Sequence, residues 1–405
     1  MSIESALAEH IRSQGLDQAV ADLVTQSAGV RGLAARFAAA EVDPGRVSGV
    51  ADLSALPVLA KDEVVALQAQ DPPFGGMLAA DADVVRIFQS PGPLYEPQLA
   101  GADSWRWGQV FEALGVGPAD TVLNCFGYHL SPAGAMMEAG ALSTGARVVP
   151  GGIGNQDLQV SAVADLGITA YTGLPSYLKA LIERYDDAGL PRERWVLDKA
   201  MVTAEPLPDS LRSLLTERVP TLRMAYGTGD TGLLAYENGD GAGLVLAEGV
   251  LVQVCDITTG VPVTDDTEGE VVVTVLRPDY PLVRFGTGDL SGWMVGPDGS
   301  LRLRGVLGRT GAAVKVKGMF LHPTQVAGVM NGAPGVADYR FVVGRHDHKD
   351  TLRCEVVAEP GADTEELVAA LGPRVRDGLR FRADVVVVEA LTDGDGPIVD
   401  TRDWA

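Results

Sequence analysis

Tyr226-Gly-Thr-Gly-Asp-Thr-Gly232 is the stretch on which the reading of this chain turns. It follows Pro220-Thr-Leu-Arg-Met-Ala225, a short apolar segment whose residues 222–225 read as a strand ending inside the protein. Three glycines in so short a run let the backbone turn sharply and approach a ligand closely. Tyr226 offers a flat apolar face, and Thr228, Asp230 and Thr231 offer oxygens. Such a loop suits a planar base, a ribose-phosphate and a metal ion. A Gly-rich turn with a solvated Asp has the same composition, so the neighbouring segments have to decide.

Upstream of this loop the chain alternates strands and helices. Residues 103–114 read as a helix with Asp103 as its N-cap. Residues 121–125, 146–150, 169–172 and 199–203 read as strands, with helical patterns at 132–144, 158–166, 175–188 and 210–218. This rhythm implies mainly parallel sheets with helical cover. Ligands in such sheets bind beyond the carboxyl ends of the strands. The loops after 125, 150, 172, 203 and 225 are therefore expected to share one cleft.

Downstream, short alternating strands at 243–247, 251–256, 269–275 and 283–285 predict a β-rich subdomain, antiparallel or barrel-like. Gly308-Arg-Thr-Gly311 lies between two patterned regions and reads as a hinge, after which a small α+β domain follows. The N-terminal residues 3–40 are helical in pattern, broken at Gly15 and Gly29. Residues 89–97 read as a loop with three prolines. The fold class is thus α/β: a large domain over 1–307, its β-rich part at 243–307, then a small α+β domain over 308–405.

Composition narrows the function. With 54 acidic against 32 basic residues the formal charge is −22, which argues against non-specific binding to nucleic acid or to anionic membranes. No apolar run is long enough to span a bilayer, and the acidic, amphipathic start is not a signal peptide. The three cysteines are far apart and form no metal-ligand spacing, which fits a reducing cytoplasm.

Taken in order, several stretches resemble the adenylate-forming superfamily, in particular its phenylacetate–CoA ligase branch. They are Asp52-Leu-Ser-Ala-Leu-Pro-Val-Leu-Ala-Lys61, Phe126-Gly-Tyr-His129, Gly154-Asn-Gln-Asp-Leu-Gln159, Leu174-Pro-Ser-Tyr177 and Ala204-Glu-Pro206. Tyr226-Gly-Thr-Gly-Asp230, Phe285-Gly-Thr-Gly-Asp-Leu290, Gly308-Arg309 and Val314-Lys-Val-Lys-Gly-Met-Phe-Leu-His-Pro323 complete the series. The resemblance implies an enzyme that joins a carboxylate to AMP from ATP, with Mg2+, and passes the acyl group to coenzyme A. It also implies a dimer.

Residue by residue, the resemblance puts Tyr226 on adenine and Asp289 on the ribose hydroxyls, with Ala204, Glu205, Pro206, Gly227 and Thr228 beside the nucleotide. An ionised carboxylate can accept both hydroxyls of a ribose, as Asp289 after two glycines would have to. Arg309 would bridge a hydroxyl and phosphate through its fork of donors. Asp230 stands where the family has a magnesium-holding Glu, one methylene longer. Phe126, Tyr128, His129 and Gly134 would line an acyl pocket apolar enough for an aromatic ring.

Two departures bear on the first half-reaction. The phosphate loop of the family is rich in Ser, Thr and Gly, whereas this chain has Gln89-Ser-Pro-Gly-Pro-Leu-Tyr-Glu-Pro97. Ser90 and Gly92 remain, the prolines remove N–H donors, and Glu96 adds negative charge. The catalytic lysine near the C-terminus has no counterpart, since no lysine follows Lys349. Lys315 and Lys317, just past the hinge, are the candidates to supply that charge, while Gly311 and Ala312 replace the family's hinge acid and its neighbour. Two expectations therefore stand side by side: an AMP-forming ligase for an aromatic or small carboxylic acid, or an adenylation-deficient relative that binds AMP, acyl-adenylate or acyl-CoA as a sensor, partner subunit or ATP-independent acyltransferase.

Overall fold

The βα alternation builds the centre of the molecule, seen in a computed structural model that describes residues 1–90, 94–310, 314–317, 319–321, 323–347, 349–394 and 396–402, and only the backbone of 315, 319, 320 and 324. The chain divides into two compact units, 1–310 and 311–405. The division falls three residues past the expected boundary at 307, because Gly308–Arg309 pairs as a strand with Phe285–Ser291 of the first unit.

Five strands run parallel, in the spatial order Arg147–Pro150, Thr121–Asn124, Ala170–Gly173, Lys199–Val202 and Thr221–Thr228. Successive side chains point to opposite faces, and both faces are covered by helices. Val122, Ala170, Met201 and Ala225 pack one way, with Met136, Met137 and Phe111. Leu123, Tyr171, Ala200 and Leu222 pack the other way, with Val160, Leu178 and Leu211. That two-sided burial is why these strands read as short apolar runs rather than as alternating ones.

Beyond the fifth strand the sheet turns antiparallel. Thr221–Thr228 runs three residues further than the expected end at 225, and Gly232–Tyr236 returns beside it. The stretch expected to be an open loop is therefore the tip of a hairpin, with only 229–231 as its turn. Leu244–Leu246, Leu301–Leu303 and Trp293–Val295 extend the same sheet to nine strands. The expected separate subdomain at 243–307 is thus divided. Part of it joins the large sheet, and Val250–Cys255, Gly269–Val275, Phe285–Ser291 and Gly308–Arg309 form a second sheet of four.

Three N-terminal helices, Ile3–Ser13, Leu16–Gln26 and Arg31–Ala39, break close to Gly15 and Gly29. Residues 89–97 are not a simple loop. Val84–Ser90 and Leu94–Leu99 pair as a hairpin, with Pro97 opposite Ile87. The helix expected over 103–114 is shorter, Gly108–Ala113, and the Asp103 carboxylate accepts from the Gly108 N–H at 2.5 Å. Trp105 and Trp107 lie in the turn before it, buried.

The second unit carries the hairpin Val336–His346/Lys349–Ala358, flanked by Asp384–Val387 and Ile398–Asp400 as parallel edge strands. Helices Pro323–Met330 and Thr364–Leu379 contribute to its apolar core, and Asp363 caps the latter through the Glu365 and Glu366 N–H groups. The short strand Ile398–Asp400 follows the expected 394–397 loop and had no pattern of its own in the sequence.

Candidate functional site

Asp289 is brought to Arg309 by strand pairing, since the two stand opposite each other in the second sheet. The Arg309 guanidinium donates to Asp289 Oδ1 at 2.7 Å and to the Thr287 carbonyl at 3.3 Å. Gly288 makes this crossing possible: its φ is +74°, and a Cβ there would lie 2.8 Å from the guanidinium. Tyr226, on the neighbouring sheet, places its hydroxyl 3.0 Å from Asp289 Oδ2 and 3.2 Å from Thr287 Oγ1. Tyr226, Asp289 and Arg309 are thus one hydrogen-bonded cluster. Burial, with the Asp289 charge beside it, holds the Tyr226 phenol well above its ordinary pKa, so the hydroxyl keeps its proton for the carboxylate. Thr287, which lies in the Phe285–Leu290 stretch but had no role assigned from the sequence, bonds to all three.

A second cluster adjoins the first at the hairpin tip. Leu59 forms a parallel bridge with Phe285, its N–H donating to the Arg284 carbonyl and its own carbonyl accepting from Gly286 N–H. This stitching fixes the start of helix Lys61–Gln70 against the second sheet. It delivers the Lys61 ammonium to Asp230 Oδ2 at 3.0 Å. A cation in the first turn of a helix is disfavoured by the helix dipole, so the carboxylate has to hold it there. Burial pulls the Lys61 pKa down, but Asp230 and then Glu96 outweigh it and leave the ammonium above its ordinary value.

Glu96 completes this cluster from strand Leu94–Leu99. It is only 4% exposed. Burial and the neighbouring Asp230 push its carboxyl up to about 8. Gly229 lets the hairpin tip close over it, because a Cβ at 229 would sit 3.0 Å from Glu96 Oε1. Among the described residues Ser90 Oγ, both Glu96 oxygens and Asp230 Oδ1 are buried without a hydrogen-bond partner. Asp230 is thus not a solvated acid but half of a buried ion pair with one oxygen unanswered. Ser90 ends strand Val84–Ser90, and Gly92 lies outside the described residues.

Of the acyl-pocket candidates, Phe126, Tyr128 and Gly134 are gathered by Asn124, a fully buried residue at the end of a central strand. Its Nδ2 donates to the Tyr128 hydroxyl at 2.7 Å and to the Gly134 carbonyl at 2.8 Å, and its Oδ1 accepts from Phe126 N–H. Gly134 also donates its N–H to Gly127 O, so close that a Cβ would lie 2.6 Å from that oxygen. Phe126 is buried, Tyr128 is 37% exposed, and His129 is exposed.

Ala204 adopts φ +71°, a left-handed conformation that costs a non-glycine residue about 1 kcal/mol or more. Glu205 follows, buried, and its Oε2 accepts from the Ser176 N–H at 3.3 Å in the first turn of helix Pro175–Asp187. It is therefore bound to a helix 29 positions upstream rather than starting the next helix, which begins at Asp209 after the partly exposed Pro206. Gly227 packs against Trp107 and Gly232, and the Thr228 hydroxyl meets that of Thr231 at 2.8 Å.

Within the second unit, Lys317 sits in a tight turn with φ +49°, its N–H donating to Asp350 at 2.9 Å. Asp350 also holds Arg402, at 3.1 Å, in a pair that is almost fully buried. Lys315 pairs through its backbone with Phe320; its side chain, like Gly311 and Ala312, lies outside what is described.

Residues 100–275 match the model of the family described as AMP-binding enzyme. A phenylacetate–CoA ligase of Thermus thermophilus is 28% identical over 348 residues, covering 79% of this chain and 76% of that protein. One from Aromatoleum evansii is 26% identical over 344 residues, covering 81% and 77%. The family match and these relatives support the adenylate-forming superfamily, on its phenylacetate–CoA ligase-like branch. The same fold is found in the crystal structure of a 2-hydroxyisobutyryl-CoA ligase in complex with 2-HIB-AMP and CoA, with a TM-score of 0.88 at 20% identity over 97% of this chain and 90% of that one.

Sequence reasoning found Tyr226, Asp289, Arg309 and Glu96, but it did not join Lys61 and Glu96 to Asp230 and did not single out Asn124. Lys61 is 169 residues from Asp230 and Glu96 is 134 residues from it, so no local motif links them. Asn124 is a polar residue ending a buried strand, which is the one signal that would have marked it, since a buried amide has to be satisfied.

Proposed function

We propose that this chain is an AMP-forming acyl–CoA ligase acting on an aromatic or other small carboxylic acid. In its first half-reaction a carboxylate oxygen attacks the α-phosphorus of ATP, giving acyl-AMP and pyrophosphate. In its second the thiol of coenzyme A attacks the acyl carbon, giving the thioester and AMP. The observation that carries the reading is the convergence of Tyr226, Asp289 and Arg309 from two separate sheets. In this reading Asp289 takes the ribose hydroxyls, Tyr226 orients that carboxylate beneath the nucleoside, and Arg309 spans ribose and phosphate. Phe126 and Tyr128 bound the acyl group, and Lys317 or Lys315 is the candidate for the catalytic positive charge. Mg2+ would be held at Asp230, whose unanswered oxygen fits a hard cation; it would offset the phosphate charge. The three free, buried thiols fit a reducing compartment, the cytoplasm.

One observation favours a second reading. The hairpin that would face the β- and γ-phosphates carries prolines and the buried Glu96, which suits a chain that handles acyl-adenylate better than ATP. Pyrophosphate exchange with a panel of aryl and short-chain acids, run beside AMP calorimetry, separates the two. Acid-dependent exchange supports the ligase. AMP binding without exchange supports the adenylation-poor relative, and absence of both overturns the nucleotide site itself.

A further inference from the structure

The acyl side of the site holds a carboxylate that neither half-reaction uses. Gly134 and Glu138 stand four residues apart on helix Ala133–Ser143, so they share one face of it. Tyr128 lies along that face, because a Cβ at 134 would come within 3.0 Å of its ring. With no side chain at 134 in the way, the phenol reaches on to Glu138 and is hydrogen-bonded to it. From the other side the Tyr128 oxygen accepts from Asn124 Nδ2 at 2.7 Å. A chain of hydrogen bonds thus runs from fully buried Asn124, through Tyr128, to the half-buried Glu138.

Burial, reinforced by Glu138, holds the Tyr128 phenol above its ordinary pKa, so Tyr128 stays the donor and Glu138 the acceptor. The phenol has one proton, and Glu138 takes it. An ionised carboxylate has about four lone-pair sites, so Glu138 can still accept from a second group. Its surroundings are otherwise apolar on the side of Tyr128, where Ile153 packs against Gly127. An acid with an apolar far end would strip water from Glu138 and put nothing in its place. A hydroxyl or an ammonium group would replace that water with a bond to a charged acceptor. The acid's own carboxylate is repelled by Glu138, which turns it the other way.

We infer that Glu138, held in place by Tyr128, sets the specificity of the acyl site and selects acids that carry a hydrogen-bond donor at the end remote from the carboxylate. The donor is a hydroxyl or an ammonium group. This inference rests on the proposed function for where the acyl group lies. It holds equally for a chain that forms the acyl-adenylate and for one that only binds it.

Acyl-sulfamoyl adenosines, which imitate an acyl-adenylate without reacting, test this by calorimetry on the full chain. Three are compared, differing only at the para position of a phenylacetyl group: methyl, hydroxyl and aminomethyl. The wild type is expected to bind the hydroxyl or the aminomethyl compound about tenfold tighter than the methyl one. A preference for one of the two alone supports the inference and names the donor. Glu138→Leu should abolish the preference. Glu138→Gln should keep part of a hydroxyl preference through its amide oxygen and lose an aminomethyl one. Tyr128→Phe, which releases Glu138, should reduce either. Glu112→Gln, on the preceding helix, should leave the ratios unchanged. Each ratio is measured on one protein, so a partly unfolded sample does not distort it, and Glu138→Gln carries the test if Glu138→Leu fails to fold. The inference is overturned if the wild type binds the methyl compound as tightly as the other two, or if Glu138→Leu keeps the preference. A Glu138-dependent preference without acid-dependent pyrophosphate exchange leaves it standing and removes the ligase reading. Exchange without any preference does the reverse, and binding of none of the three overturns both.

Discussion

Replacing Asp289 with Asn keeps the shape of the side chain and removes its charge, which isolates what the carboxylate does. In the wild type that group accepts from Arg309 at 2.7 Å and from Tyr226 at 3.0 Å, and its side chain is 9% exposed. A hydrogen bond to a charged group contributes about 1.5–3 kcal/mol, and both bonds end on the carboxylate; the Asn amide oxygen keeps part of one, so together about 2–4 kcal/mol are lost. Arg309 then loses this counter-charge, but at 16% exposure water offsets part of that cost. Unfolding of the first unit in urea should therefore show a loss of about 2–4 kcal/mol. If the carboxylate also takes two ribose hydroxyls, AMP affinity falls about a hundredfold by the same arithmetic. Tyr226→Phe should cost about 1–2 kcal/mol of stability, because the hydroxyl bond is lost and the ring stays. The double variant should cost less than the sum, by about 1 kcal/mol or more, since each change removes the same bond. Additive losses to within about 0.5 kcal/mol would refute the view that the two residues act as a unit. Unchanged AMP affinity in calorimetry of a folded Asp289→Asn chain would refute the ribose assignment.

Two further substitutions test other parts of the structure. Asn124→Ala leaves the Tyr128 hydroxyl, the Gly134 carbonyl and the Phe126 N–H without their buried partner, so a cost of about 2–4 kcal/mol is expected. Steady-state kinetics should show KM for the acid rising about tenfold while AMP binding is kept; an equal loss of both would place the loop's role in folding alone. Arg302 holds the Asp240 carboxyl down to about 2, so Asp240 stabilises the fold above the ordinary carboxylate range and that contribution fades as pH falls toward about 2. In denaturant melts run from about pH 5 downward, Asp240→Asn should follow a flatter stability curve than the wild type. Curves that stay parallel would show that the pair carries no net stabilisation.

Much of the fold was legible because its signals are local. A helix is announced every third or fourth residue and a strand by a short apolar run, so the βα order over 121–225 and the helices before residue 40 could be read directly. Asp289 and Arg309 were legible as well, because each follows glycine in a patterned segment. What misled the reading were pairings between distant segments. Thr221–Thr228 continues past its apolar run because Gly232–Tyr236 returns beside it, and the residues of 243–307 were divided between two sheets by partners that lie elsewhere in the chain.

The sequence by itself determined the layered α/β architecture, the acidic surface and the set of residues that can meet a nucleotide, since these follow from periodicity, charge and backbone freedom at each position. Only the tertiary structure decided that Lys61, Glu96 and Asp230 form one buried cluster and that Thr287 and Asn124 hold the two halves of the site in place. The reason is that a buried charge or amide takes its character from whatever is packed against it. Here Asp230 is more than a hundred residues from both Lys61 and Glu96, and the neighbours of Asn124 are set by a loop folding back on itself.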